Sequence, residues 1–465
     1  MITLENRFFP LRSAICFLVE GGIIFVSVLA SFAVLERTNA TGVLNFEDAI
    51  VRGFVVAFFC QSCMYMLDLY DLRQSQSRGE IFFSLIFAIG FVCIGIGLVS
   101  YIVPGFGVAG DMYYLTILFV AVFLLMWRVA FDFFLSRIAS RENILILGTA
   151  EVARMVAKEI KARERLGFHL VGFVTPKQSD GIKPNPIGKI LGNYPELEKL
   201  VKDHEVRRVV VAISERRGEY PIREMLDIRV AGCKVVEWPD FFESLSGRIP
   251  IDDLSPSYFI FSKGFRKSPL LLFSRRLISA LVATVALIIL LPLLLVVAII
   301  IIIFDSPGPV FYSQDRIGQN NKIFRIYKFR SMKPDAEKNG EAQWAKNDDL
   351  RITRVGRFLR LWRIDELPQV YNILRGDINL VGPRPERPEF VNELEKIIPY
   401  YSLRHTVKPG LTGWAQVMFP YSATIEESKE KLQYDLFYIK NLSLKLDLLI
   451  IFSTIKIVIL GRGAR

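Results

Sequence analysis

This chain of 465 residues is poor in the side chains that build disulfides, metal cages and imidazole chemistry. It has five cysteines, and four of them (Cys16, Cys60, Cys63 and Cys93) sit inside apolar runs while Cys233 stands alone. That pattern makes no disulfide framework. "CQSC" at 60–63 has CxxC spacing, but no second ligand pair accompanies it, so it cannot complete the tetrahedral shell of zinc. The three histidines, His169, His204 and His405, form no cluster, which argues against a His-metal site or a Ser-His-Asp triad. No internal repeat or low-complexity tract is present. No small-residue cleavage pattern ends the first apolar run, which is also too long for a signal-peptide core.

Charge and hydropathy are what the chain does have. Hydrophobic residues make up 52% of it, and mean hydropathy is +0.34. Lys and Arg number 58 against 47 Asp and Glu, for a net charge of +11. Apolar segments with a basic excess point to a membrane protein that meets anionic headgroups, nucleic acid or phosphorylated substrates.

Four apolar runs, about 14–35, 49–69, 81–103 and 113–135, are each long enough to cross a bilayer core of about 30 Å. Arg7, Arg12, Arg73, Arg78, Arg137 and Arg141 flank alternate ends. The positive-inside rule therefore places both termini of this bundle in the cytoplasm. Glu20, Arg52, Arg128 and Asp132 lie in or near the runs, and pairing within the bundle or snorkelling is the expected reason.

From 141 to about 262 the texture is that of a soluble domain. "ENILILGTAEVARMVAKEIK", "HLVGFV", "VRRVVVAIS" and "IREMLDIRVAGCKVVEW" alternate strands with helices, which predicts a parallel, Rossmann-like α/β sheet. The first turn, "GTAEVA", keeps Gly148 but lacks the later glycines of a dinucleotide fingerprint. A structural or regulatory role fits it better than nucleotide binding.

Residues 277–304 are uncharged and almost wholly apolar, with Pro292 near the middle. A straight helix of that length would run about 42 Å. Two courses are open: a Pro-kinked span, or a break at Pro292 with return to the side of entry. The strongly basic domain on its C-terminal side favours return.

That domain holds "KFRSM" (328–332), five arginines at every third position (Arg351, Arg354, Arg357, Arg360, Arg363), the adjacent acids Asp365 and Glu366, "VGPRPERP", and "RHTVKPGLTGWAQV". Arginine presents a planar fork matched to phosphate oxygens. An acid pair among such cations can hold Mg²⁺ while the cations hold phosphates, the charge layout of a diphosphate site. One of the acids can instead be a nucleophile. If the pair lies on a helix, successive side chains aim about 100° apart, at neighbouring points. Five arginines at that spacing cannot share one helix face. Interleaved with Phe358, Leu359, Leu361 and Trp362, some of them suit a membrane interface, while Arg360 and Arg363 stand closest to the acids.

Together "KFRSM", "IDELPQVYNILRGDINLVGPRP" and "VKPGLTGWAQV" resemble the bacterial sugar transferase family, the monotopic polyprenyl-phosphate phosphoglycosyl transferases. The tail from "KLQYDLFYIK" onward looks like the exopolysaccharide subgroup. The resemblance implies three parts: a four-helix transmembrane bundle (1–140), a Rossmann-like cytoplasmic domain (141–262), and a mostly helical catalytic domain (263–465) with a re-entrant membrane helix at about 277–304 broken at Pro292. It implies transfer of sugar 1-phosphate from a UDP-sugar to undecaprenyl phosphate, on the cytoplasmic face of a bacterial inner membrane. It further implies Asp365 as nucleophile, Glu366 as Mg²⁺ ligand, and Lys328, Arg330, Arg360 and Arg384 as substrate-binding residues. The lipid bilayer is then a partner, nucleic acid is not, and a homodimer is plausible by analogy with large relatives. The chain departs from the family in having Leu291 before Pro292, where Ser is frequent, and "WRI" before the acids, where Thr-Ser-Leu is frequent. Two other readings compete. One is a membrane-tethered, NAD-dependent nucleotide-sugar dehydratase or epimerase, opposed by the absence of Tyr-x-x-x-Lys in 141–262. The other is a non-catalytic polysaccharide-assembly scaffold, which leaves the acid pair unexplained.

Overall fold

The computed structural model describes residues 11–37, 46–70, 83–91, 93–94, 111–138, 142–164, 167–176, 188–213, 220–252, 254, 256–262, 264–305, 307–333, 351–419 and 424–459. Much of the third apolar run lies outside them, as do Arg7, Arg73, Arg78 and Arg141. The side chains of Arg12, Asp132 and Arg137 are likewise not described. The chain forms two compact units, Met1–Leu245 and Ser246–Arg465.

The first unit opens with the apolar helices α1 (Leu11–Arg37), α2 (Phe46–Met66) and α3 (Asp111–Ile138). Residues 83–91 are also helical. Ile24, Val28, Cys60, Met64 and Leu124 are fully buried between these helices, whereas Leu18, Phe58 and Val129 stay exposed and suit lipid. Two of the intramembrane charges meet: Arg128 Nη2 lies 3.0 Å from Glu20 Oε2, and its Nη1 donates to the Leu69 carbonyl at 3.1 Å. A charge is tolerated at that depth when it is paired.

The same unit continues into five parallel strands: β1 (Glu142–Leu147), β2 (Phe168–Thr175), β3 (Ile190–Asn193), β4 (Val206–Val211) and β5 (Lys234–Glu237). Their order is β3-β2-β1-β4-β5, the Rossmann order. Helices α4 (Glu151–Ala162), α5 (Leu197–Asp203) and α6 (Ile222–Val230) connect them. Near-continuous runs such as Ile144–Leu147 are buried because helices cover a parallel sheet on both faces. Gly148 leaves β1 at φ 107°, and a Cβ there would stand 2.5 Å from the Ala212 carbonyl oxygen. That strand-to-helix turn therefore admits only glycine. Strand β3 escapes sequence reading because "ILGN" is short and weakly patterned.

The second unit is built on α7 (Pro269–Phe304), one continuous 36-residue helix with Pro292 inside it. Ser268 caps it, accepting from Leu271 N at 3.2 Å, and Pro269 takes the first helical position, where a missing N–H costs nothing. Its buried residues are Arg275, Ser279, Ala283, Val297 and Ile301. They recur at about one-turn intervals on one face, on both sides of Pro292. Ala283 packs with Val370, Ile373 and Ile378; Val297 and Ile301 pack with Phe329 and Leu359. The outward positions Ile288, Ile289, Leu295 and Ile302 are exposed. Strands β6 (Phe311–Ile317) and β7 (Ile323–Phe329) form an antiparallel hairpin. Helices α8 (Arg354–Leu361), α9 (Gln369–Arg375), α10 (Pro388–Ile397), α11 (Ile425–Lys440) and α12 (Leu444–Ile459) come next. A short parallel pair, β8 (Asn379–Val381) and β9 (Gly410–Thr412), joins the two glycine-rich loops.

Candidate active site

Glu366 stands at the centre of the candidate site. Lys328 comes from β7 and places Nζ 2.7 Å from Glu366 Oε1. Arg384, from the loop after β8, places Nη2 2.9 Å from the same oxygen. Arg363 Nη1 lies 3.9 Å from Oε2. Burial favours the neutral acid, but the Arg384 and Lys328 charges outweigh it and hold Glu366 well below the usual carboxylate range. Asp365 answers differently to the same surroundings. Burial lifts its pKa, the Glu366 charge adds to that, and Lys328, Arg360 and Arg384 only partly offset it. No hydrogen bond ties the Asp365 carboxylate to another described side chain.

Local sequence explains the placement. Thr353 caps α8 by accepting from Gly356 N at 2.9 Å. Gly356 packs flush against the Ser331 carbonyl, with no room for a Cβ. That contact seats α8 on the strand carrying "KFRSM", and Arg360 then donates Nε to Ser331 Oγ at 2.9 Å. Arg363 ends the helix in the left-handed conformation, at φ 53° and ψ 23°. A non-glycine residue pays for that conformation in strain of about 1 kcal/mol or more. The chain re-enters as a 3₁₀ turn over Ile364–Glu366 and then forms α9 behind Pro368. The acids therefore lie on a tight turn rather than on an α-helix, and their side chains aim about 120° apart.

Lys328, Asp365, Glu366 and Arg384 thus converge, with Arg360 close enough to act on Asp365. Arg330 points elsewhere. Its Nη1 donates to the Pro309 carbonyl at 2.9 Å, and its Nε lies 3.8 Å from Asp305 Oδ2, just beyond the end of α7. Pro292 lies inside α7. Arg354 and Arg357 ride on α8 beside exposed Phe358, Leu361 and Trp362, whereas Leu359 is buried against Val297, Ile301 and Phe329 and cannot meet a membrane interface.

Among the described residues there is no group of three or more His, Cys, Asp or Glu side chains able to cage a metal. The donor set still fits Mg²⁺ in its substrate-dependent mode, which takes one or two carboxylates and completes its shell with phosphate and water. Glu366 Oε2, less crowded by cations than Oε1, and the unbonded Asp365 carboxylate are the available oxygens.

Sequence reading missed a second, largely buried charge cluster behind the "GPRPERP" loop. It contains Arg316, Glu386, Tyr401, Arg404, Lys431 and Asp435. The dense stretches "RHTVKPG" and "QYDLFYIK" were its only trace, and spacing gives no hint that they meet.

Comparison with known proteins agrees with this architecture. Residues 271–461 match the family described as bacterial sugar transferase, and residues 65–228 match one described as CoA-binding domain. The chain is 46% identical over 223 residues to a UDP-N-acetylgalactosamine-undecaprenyl-phosphate N-acetylgalactosaminephosphotransferase of Aeromonas hydrophila, covering 48% of this chain and 52% of that protein. It is 31% identical over 332 residues to a UDP-glucose:undecaprenyl-phosphate glucose-1-phosphate transferase of Xanthomonas campestris pv. campestris, covering 67% of this chain and 66% of that one. An exopolysaccharide production protein of Rhizobium leguminosarum bv. phaseoli is 42% identical over 157 residues, 32% of this chain and 78% of its own length. The chain spans about half to two thirds of the length of the first two relatives. A membrane-associated α/β protein with an acid pair, Asp365 buried and Glu366 half-buried, ringed by cations is the class that fold and site define. Within that class, the chain belongs to the bacterial sugar transferase family.

Proposed function

We propose that this protein transfers sugar 1-phosphate from a UDP-sugar to undecaprenyl phosphate, starting a polysaccharide repeat unit. The observation that carries the reading is the split between the two acids: Glu366 is neutralised by Lys328 and Arg384, while its buried neighbour Asp365 has no hydrogen bond to another described side chain. The family relationship supplies the reaction class. An Asp365 carboxylate oxygen attacks the β-phosphorus of the UDP-sugar. The bond from that phosphorus to the bridging oxygen breaks, and UMP leaves with the electron pair. A phosphate oxygen of undecaprenyl phosphate then attacks the same phosphorus and frees Asp365. Lys328, Arg360 and Arg384 balance the charge on the phosphoryl oxygens. Glu366 would hold Mg²⁺, which supplies further neutralisation of the diphosphate.

In this reading α7 enters the bilayer and returns to the cytoplasmic side of a bacterial inner membrane, with Pro292 the point at which its one helical run would have to bend. Packing of both limbs of α7 against one domain supports this. A spanning helix would instead carry residues 305–465 to the far side.

The test is UMP release by the purified full chain from a panel of UDP-sugars with undecaprenyl phosphate and Mg²⁺. A donor labelled in its β-phosphate should leave an acid-quenched, labelled protein, and Asp365→Asn should abolish both signals. Near-normal turnover by Asp365→Asn would sink the nucleophile assignment.

A further inference from the structure

We propose that Arg404 and Arg316 are positioning residues for Arg384; the inference rests on the proposed function, in which Arg384 meets the donor diphosphate. The loop 382–387 is neither helix nor strand, yet each of its four successive carbonyls from Pro383 to Glu386 has a protein donor. Gly410 N donates to Pro383 O at 3.0 Å. Arg404 Nη2 donates to Arg384 O at 2.9 Å. Arg316 Nη1 donates to Pro385 O at 3.1 Å. Ile317 N donates to Glu386 O at 3.0 Å. Surface loops commonly leave such oxygens to water. Here the main chain on both sides of the Arg384 Cα is clamped, and two of the four clamps are arginine side chains.

Those arginines are themselves fixed. Arg404 is buried, lies 2.9 Å from Asp435 Oδ2, and donates to Tyr401 Oη at 2.6 Å. Arg316 lies 3.8 Å from Glu386 Oε2, while Lys431 Nζ holds Glu386 Oε1 at 2.8 Å. Neither arginine hydrogen-bonds or ion-pairs with Asp365 or Glu366. The Arg316 charge does act through space on Lys328 and Arg384, so Arg404 is the cleaner probe of the loop. Pro383 and Pro385 fix φ on either side of Arg384 but donate nothing. The clamp must therefore grip carbonyls. The guanidinium of Arg384 then emerges from a rigid base and meets Glu366 Oε1 at 2.9 Å. An error of about 1 Å in placing such a group costs about 100-fold in rate.

Arg404→Lys keeps the charge opposite Asp435, but a single ammonium cannot reproduce the fork that reaches Tyr401, Asp435 and the Arg384 carbonyl. It should lower kcat/KM for UMP release by about 10- to 100-fold. Arg316→Gln, a milder change, should lower it less and serves if Arg404→Lys does not fold. The deciding measurement is a double-mutant cycle with Arg384→Lys. If the clamp acts through Arg384, the double variant is no slower than Arg384→Lys alone. Losses that multiply would overturn the proposal. Hydrogen exchange supplies a readout free of turnover: peptides covering Ile317, Gly382 and Gly410, whose N–H groups tie this loop to its neighbours, should exchange faster in the Arg404 or Arg316 variant, with the rest of the unit unchanged. Should wild-type protein release no UMP from any UDP-sugar, the functional reading fails, and unchanged or globally raised exchange would separately refute the clamp.

Discussion

Lys328 and Glu366 meet at 2.7 Å, one from the end of a strand and the other from a 3₁₀ turn 38 residues later. Lys328 is half-buried, and the loss of water around it lowers its pKa, while Glu366 partly restores its charge. Lys328→Met should leave the fold intact, because Arg384 still pairs with Glu366. Turnover should fall by about 100- to 1,000-fold, the usual effect of removing one charge-stabilising donor. Kinetics with circular dichroism on the same sample checks both halves of this expectation.

Activity should depend on pH through Asp365. Attack needs the carboxylate, and burial has raised its pKa above the ordinary 3.8. Rate should therefore decline on the acid side as pH falls through that raised value. Arg360 is one of the cations opposing the rise. Arg360→Gln should move the acid limb of kcat/KM to higher pH, and a limb that stays in place would remove Arg360 from the neighbourhood of the nucleophile.

His405 governs a separate, stability-linked pH dependence. Burial, reinforced by the Arg404 charge, lowers its pKa from 6.5 to about 3. Between those values the unfolded chain binds a proton that the folded chain refuses. Stability is thus complete above pH 6.5 and declines as pH falls, by at most about 1.4 kcal/mol per unit. Denaturant midpoints measured from pH 7 to 4.5 should fall more steeply for wild type than for His405→Gln.

Asp447 secures the start of α7 to the C-terminal helix α12. Its Oδ2 lies 2.6 Å from Arg275 Nε, and its Oδ1 accepts from Tyr438 Oη at 2.8 Å. Asp447→Ala would strand a buried guanidinium and should cost about 3–5 kcal/mol. The melting temperature in detergent should drop by several degrees; a shift within error would mean that water already shares the pair.

Topology can be read by labelling. Cys16, Cys60, Cys63, Cys93 and Cys233 are the only cysteines and can be replaced. In that background Glu151→Cys and Lys396→Cys should both react from the cytoplasmic side. Periplasmic labelling at Lys396→Cys alone would establish that α7 spans.

Several features were legible in the residues themselves. Apolar runs marked the membrane helices, because about 20 uncharged residues have few other stable environments. Alternating strands and helices from Glu142 onward announced a parallel sheet, and its β3-β2-β1-β4-β5 order agrees. The acid pair with Lys328 and Arg384 was picked out by motif. The cluster behind Arg384 was not legible, since it joins residues far apart in the chain. The left-handed Arg363 and the 3₁₀ turn were not legible because no glycine or asparagine marks the positive φ there.

By itself, then, the sequence determined the composition of the site: two adjacent carboxylates, an excess of cations and prolines to stiffen one loop. Tertiary structure decided which charges meet. Lys328 and Arg384 came to one oxygen of Glu366, Arg330 went to the end of α7, and Arg404 and Arg316 took the carbonyls beneath Arg384. The physical reason is that periodicity reports which face of an element avoids water. A buried charge is satisfied only by a partner that folding brings from elsewhere.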